Sequence, residues 1–173
     1  MQQPKSAEEV FALHDLRRSN LQRYMEIVNE WLREDPENFH AYFDRHYAWN
    51  DLGEPRRALD DLTKAIELAP KNQAVFCARG RIYRQLGEHE NALADFSRGE
   101  AINPKEWGDQ AITLLYQADS HARVGDEPRA LACCERLPND FWTPGIDGAP
   151  GGGKAEIAAE LRRIAADARG KRG

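Results

Sequence analysis

The stretch Gly148-Ala149-Pro150-Gly151-Gly152-Gly153-Lys154-Ala155 comes nearest to spelling out a reaction. It fits the spacing G-x-x-x-x-G-K and opens a helical stretch, an arrangement in which backbone N–H groups cradle a phosphate. Two residues spoil it. Ala155 stands where a Ser or Thr hydroxyl must hold magnesium, and Pro150 has no N–H to offer. No strand pattern precedes it, so the segment reads as a flexible hinge before a helix. Cys133-Cys134 invites a redox or metal reading, but neighbours on a helix point about 100° apart. No second cysteine pair completes a zinc set. Cys77 has nothing beside it in sequence that marks an activated thiolate, although its position leaves it free to be exposed. The histidines His14, His40, His46, His89 and His121 form neither H-E-x-x-H nor H-x-x-x-H. His40 and Asp44 are spaced i, i+4, which suits a weak metal pair or, as read here, an ordinary surface pair. Asp60-Asp61 and Asp95 read as solvated faces. The spacing supports no catalytic residue, no metal and no cofactor.

The elements that would position any site come from a chain of 173 residues, 41% of them hydrophobic. That is enough for one domain with a core that needs no staples. The net charge of −5 argues against a nucleic-acid surface. No stretch reaches the roughly 20 apolar residues of a membrane span. The first residues carry no apolar leader segment. Three cysteines are too few for a disulfide framework, so a cytoplasmic setting is expected. A monomer or weak homo-oligomer fits this composition.

Self-similarity organises the chain. Pro36, Pro70 and Pro104 are 34 residues apart. The same step relates Gly53 to Gly87, Ala58 to Ala92, Trp49 to Tyr83, Tyr42 to Phe76, and Leu62 to Phe96. Each period reads as two helices. Phe39, Tyr42, Phe43, Tyr47, Trp49 and Leu52 recur mostly at helical steps, and Gly53 then ends the helix in the left-handed conformation. Pro55 opens the second helix, whose stripe is Ala58, Leu59, Leu62, Ala65, Ile66 and Ala69. Pro70 stops it. The small residues Ala58 and Ala92 belong where two helices approach closely. A two-helix unit cannot bury both stripes alone and must stack on neighbours.

These residues resemble the tetratricopeptide repeat. The pattern appears as Phe76-x2-Arg79-Gly80-x2-Tyr83, Ala92-x3-Phe96 and Pro104, and earlier as Tyr42-x2-Arg45-His46-x2-Trp49, Ala58-x3-Leu62 and Pro70. Units fall at 39–72 and 73–106. His46 replaces the small residue of the helix contact, which implies a wider or bent contact there, and Gly99 replaces an alanine. Gly125 lies 38 residues after Gly87, so a third, atypical unit at 111–137 follows a four-residue insertion within 105–110. Cys134 takes its aromatic slot as a buried small hydrophobe. A degenerate unit at 5–38 opens with the capping box Ser6-x-x-Glu9 and carries the stripe Leu21, Tyr24, Met25, Val28, Trp31 and Leu32. Residues 139–153 are Gly/Pro loop, and 154–169 form a cap helix over the last unit. The resemblance implies one all-α domain over 1–173, a right-handed α-solenoid with an N-terminal helical pair.

It also implies a concave groove lined by first helices. The inward positions are His40, Phe43, Asp44, Tyr47 and Asn50, then Cys77, Arg81 and Arg84, then Leu115, Tyr116 and Asp119. Family members that grip a chaperone's C-terminal carboxylate do so with Lys, Asn and Arg. Phe43, Tyr47, Ala78, Ile112 and Tyr116 stand at those positions, and the register one unit upstream supplies no cations either. No such clamp is expected. The aromatics and arginines suit an extended or helical segment of mixed apolar and acidic character. In the plainer reading, the arginines pair with Asp44 or Asp119.

The function implied is non-catalytic binding of a protein or peptide partner, as an adaptor or scaffold. The alternatives are a small secretion-type chaperone of the same repeat, or a nucleotide-dependent enzyme using 148–155. Phe141 and Trp142 offer a third possibility, docking into the groove of their own or a neighbouring copy.

Overall fold

The computed structural model describes residues 7–104 and 111–171. Ser6 of the capping box and the insertion at 105–110 lie outside them. The helices are α1 (Ala7–Ser19), α2 (Leu21–Glu34), α3 (Phe39–Asp51), α4 (Pro55–Leu68), α5 (Gln73–Gln85), α6 (His89–Ile102), α7 (Ala111–Arg123), α8 (Glu127–Glu135) and α9 (Lys154–Gly170). Two short strands, β1 (Trp142–Thr143) and β2 (Gly152–Gly153), pair antiparallel between α8 and α9. By contact density the chain forms two compact units, Met1–Val75 and Phe76–Gly173. No helix among the described residues is long and apolar enough to cross a membrane.

The helix ends are set locally. Asn20, Asn38 and Asp126 accept hydrogen bonds from the N–H groups of Arg23, Ala41 and Arg129 with their side chains, capping α2, α3 and α8. Pro55 and Pro128 sit in first turns. The turn inside each helical pair is the same one three times. Gly53, Gly87 and Gly125 have φ of +72°, +75° and +79°, and the next N–H reaches back to Trp49, Tyr83 and His121 carbonyls at 2.8–2.9 Å.

In the first unit α2 packs on α1 and α3, and α3 on α4. Tyr24, Ile27, Val28 and Trp31 of α2 and Ala41 and Ala48 of α3 fill the core, with Leu21 and Leu32 at its edge. In the second unit α7 is enclosed by α6, α8 and α9, and α9 also lies on α8. Phe96, Leu114, Leu115, Ile157 and Leu161 are its buried centre. The pattern of all-α helical hairpins packed in chain order therefore holds within each unit.

Two details explain the repeat's residue choices. A Cβ on Gly80 would stand 2.7 Å from the Phe96 ring, so α5 and α6 meet at a point that admits no side chain. In the first unit the matching residues are His46 and the smaller Leu62. His46 is buried and turns its Nδ1 back to the Phe43 carbonyl.

The second detail corrects the reading of Asp61 and Asp95 as solvated faces. Both are buried, and each takes a two-point grip from the first helix of its own unit. Arg45 donates to Asp61 at 2.8 and 2.6 Å, and Arg79 donates to Asp95 at 2.7 and 2.8 Å. The arginines occupy the repeat's leucine slot. They replace an apolar contact by a forked, charge-assisted one.

The 139–153 segment is also more ordered than its composition implies. Thr143 and Ala149 are buried, and the Ala149 N–H donates to the Ile146 carbonyl at 2.9 Å. A Cβ on Gly151 would meet the Pro144 carbonyl carbon at 2.8 Å, so glycine lets two backbone runs touch. The loop is a closed turn, not an open hinge.

Candidate partner-binding site

In the first unit the inward residues all lie on α3. His40 is exposed, and Phe43, Asp44, Tyr47 and Asn50 are partly buried. Phe39, Phe43 and Tyr47 form a line of rings one turn apart, with centroids 5.9 and 5.7 Å from one to the next. Arg17 of α1 lies 4.7 Å from the Tyr47 ring and 3.4 Å from Asp51. The Tyr24 hydroxyl donates to the Asp44 carbonyl at 2.9 Å. Burial pushes the Asp44 carboxyl from 3.8 up to about 6, with Arg17 opposing the shift.

That shift has a consequence for stability. The folded chain holds this proton more tightly than the unfolded chain, so the Asp44 contribution is favourable at low pH and fades between pH 4 and 6. Asp44→Asn should flatten thermal stability across that window. It should raise stability near pH 7 by about 2 kcal/mol. A set of melts in matched buffers checks this; an unchanged pH slope would refute it.

In the second unit the sequence places more on the inward face than the fold leaves there. Leu115 and Asp119 have no exposed surface, because α7 is wrapped on three sides, and they cannot meet a partner. Cys77 is buried rather than exposed, and burial pushes its thiol up to about 12, so it is a packing residue. Cys133 and Cys134 are buried as well. Arg81 is the exposed member of the set.

Around Arg81 the remaining residues form one connected cluster. Arg84 is nearly enclosed and donates through Nη1 to Asp119 Oδ2 at 2.7 Å. Arg123 donates through Nε to the same carboxylate at 2.9 and 3.0 Å. The Arg84 guanidinium carbon stands 4.3 Å from the Tyr116 ring centroid, and that of Arg81 5.7 Å. Pairing of an arginine with Asp119 is thus realised for Arg84.

The cluster also grips the chain's own loop. The Tyr116 hydroxyl donates to Asp147 Oδ2 at 2.8 Å, and Arg81 approaches the same oxygen at 3.8 Å. Arg84 Nη2 donates to the Asp147 carbonyl at 2.6 Å, and Arg123 Nη2 to the Gly148 carbonyl at 2.9 Å. Burial, then the bond to Asp147, raises the Tyr116 phenol above its usual range. Asp147 and Arg123 are absent from the sequence-derived set. Asp147 lies 63 residues from Arg84, and its one local signal is the turn-forming Asp-Gly pair. Phe141 packs against the core of the second unit, and Trp142 is 67% exposed.

The phosphate-loop resemblance fares worse in three dimensions. At the N-terminus of α9, Glu156 Oε2 accepts the Gly153 N–H at 2.6 Å, so a carboxylate stands where a phosphate would. Among the described residues, no group of three or more His, Cys, Asp or Glu side chains is placed to hold a metal ion.

Comparison with known proteins agrees with this architecture. Residues 74–106 match the tetratricopeptide repeat model. No curated protein matches the sequence. Solved structures share the fold at low identity. The crystal structure of MamA protein is 16% identical, covers 93% of this chain and 81% of its own, and superposes with a TM-score of 0.66. YrrB, described as a tetratricopeptide-repeat protein with an unusual peptide-binding site, is 20% identical, with coverage of 91% and 83% and a TM-score of 0.64. TTC0263, a thermophilic tetratricopeptide-repeat protein of Thermus thermophilus, is 20% identical, with coverage of 89% and 75% and a TM-score of 0.57. The chain carries a tetratricopeptide repeat at residues 74–106 and has the fold of proteins built from such repeats.

Proposed function

We propose that this chain is a non-catalytic interaction module, an adaptor or scaffold that holds a segment of a partner protein on the inward faces of its first helices. One observation carries the reading: Arg81, Arg84, Tyr116 and Arg123 already hold a stretch of polypeptide, by one carboxylate and two carbonyls. A face built to do this has the donors a peptide ligand needs. In the first unit, taken by itself, the rings of Phe43 and Tyr47, on the same helix as His40 and Asn50, offer rigid apolar area on α3. The peptide-binding site in YrrB's description supports the same class of work. We place the protein in the cytoplasm, as a monomer or weak homo-oligomer.

Affinity capture from cell extract with wild type and Arg81→Glu tests this. Arg81 is 47% exposed, so the reversal reaches the binding face without disturbing the core. Recovery of the specific partner should fall about tenfold or more. Equal recovery of every captured protein by both forms would refute the groove assignment.

A further inference from the structure

We propose that the α5–α7 cluster is a carboxylate-binding site for an acidic turn on a partner, and that the Pro144–Gly151 loop is its built-in occupant, displaced when the partner binds. The inference rests on the interaction-module reading above and names the chemistry of the ligand.

What the site reads is visible in what it holds. A single carboxylate oxygen of Asp147 lies 2.8 Å from the Tyr116 hydroxyl and 3.8 Å from Arg81. Two successive carbonyls, of Asp147 and Gly148, take Arg84 and Arg123. Nothing in these contacts depends on the side chains either side of Asp147. Any tight turn bearing an aspartate at its centre presents the same three acceptors. The cluster's other carboxylate, Asp119, is fully buried and shared by Arg84 and Arg123. With Asp147 withdrawn, Arg81, Arg84 and Arg123 would be left with that one carboxylate, bonded to the last two. The vacated site would therefore be cationic and attract an anionic replacement.

The cluster grips the loop's inner side, and Ile146 and Ala149 pack against the core. The loop's outer flank opens on a cleft of about 920 Å³ between Gly148–Gly151, His89 and the Glu160 and Arg163 face of α9. Asp147 itself sits at φ +52°, left-handed backbone that a non-glycine residue adopts at a cost. The closed state thus combines good contacts on the inner side with a conformational penalty and open space on the outer side. A partner whose turn reproduces the contacts competes with the loop, and its apparent affinity is lowered by the fraction of chains that are closed.

The experiment titrates isotope-labelled full-length chain with a terminally blocked synthetic peptide of residues 144–151, followed by NMR so that millimolar binding is read. Asp147→Gly removes the competing carboxylate, a loss that outweighs the ease with which glycine takes the closed loop's left-handed backbone. It should bind the peptide about tenfold more tightly than wild type, with shifts centred on α5 and α7. A peptide with asparagine in place of its aspartate should bind about tenfold more weakly. Asp147→Asn, which keeps the loop's shape, should lie between wild type and Asp147→Gly. If Asp147→Gly gained nothing over wild type, or if the shifts lay away from α5 and α7, the built-in ligand is refuted. The interaction-module reading is separable, because it stands or falls on partner capture by Arg81→Glu. Loss of capture with no peptide gain would sink the displacement alone.

Discussion

Asp119→Ala should cost the second unit about 3–5 kcal/mol of stability, seen as a fall in the urea midpoint. Asp119 has no exposed surface and takes hydrogen bonds from Arg84 and Arg123. Arg123 is 36% exposed at its side chain, so it would turn to water. Arg84 is 3% exposed and would remain buried with one carbonyl partner and the Tyr116 face. A buried cation stripped of its counter-ion accounts for most of the loss. Asp119→Asn keeps the shape and one acceptor and should lose about half as much. Replacing both members, Arg84→Met with Asp119→Leu, should recover most of the stability while removing the Arg84 bond to the Asp147 carbonyl. A double variant no better than Asp119→Ala would mean that the pair is not the source of the effect.

Leu161→Ala should cost about 3 kcal/mol. Leu161 is wholly buried on α9, between Ile157 and Ala165, in the core that α7 and α8 share with it. Without α9 the outer stripe of the last helical pair would face water, the usual need for a terminal cap in stacked repeats. Leu52→Ala, at a leucine that is half exposed at the end of α3, should change stability by less than about 0.5 kcal/mol and serves as the control. Parallel thermal melts of the two variants give the comparison. Equal losses would show that α9 is not held by its apolar stripe.

The parts of this fold that repeat were readable from residue types. Gly53, Gly87 and Gly125 mark the same left-handed turn, and Ala58 and Ala92 mark the same close contact, because local geometry forces those choices. The ion pairs were present in the sequence but misread. Arg45 with Asp61 and Arg79 with Asp95 are both sixteen residues apart, and both arginines stand in a leucine slot. A charge there needs a buried partner, and the repeated spacing identifies it. Leu115 and Asp119 were assigned to the groove by position. Their burial follows from the packing of α9 and the loop on α7, and no period carries that information. The grip on Asp147 was the least legible feature. It joins residues 63 and 31 positions apart through a segment whose composition signals only turns.

The central claim, that the inward faces of the first helices are where a partner sits, is tested most directly by site-specific photo-crosslinking. A photoreactive residue is placed at His40 or Arg81, exposed on α3 and α5, and at Asp60 or Arg98, exposed on the second helices α4 and α6. Adducts to a partner protein from positions 40 and 81, with none from 60 and 98, are the predicted result. Adducts from 60 and 98 alone would contradict it.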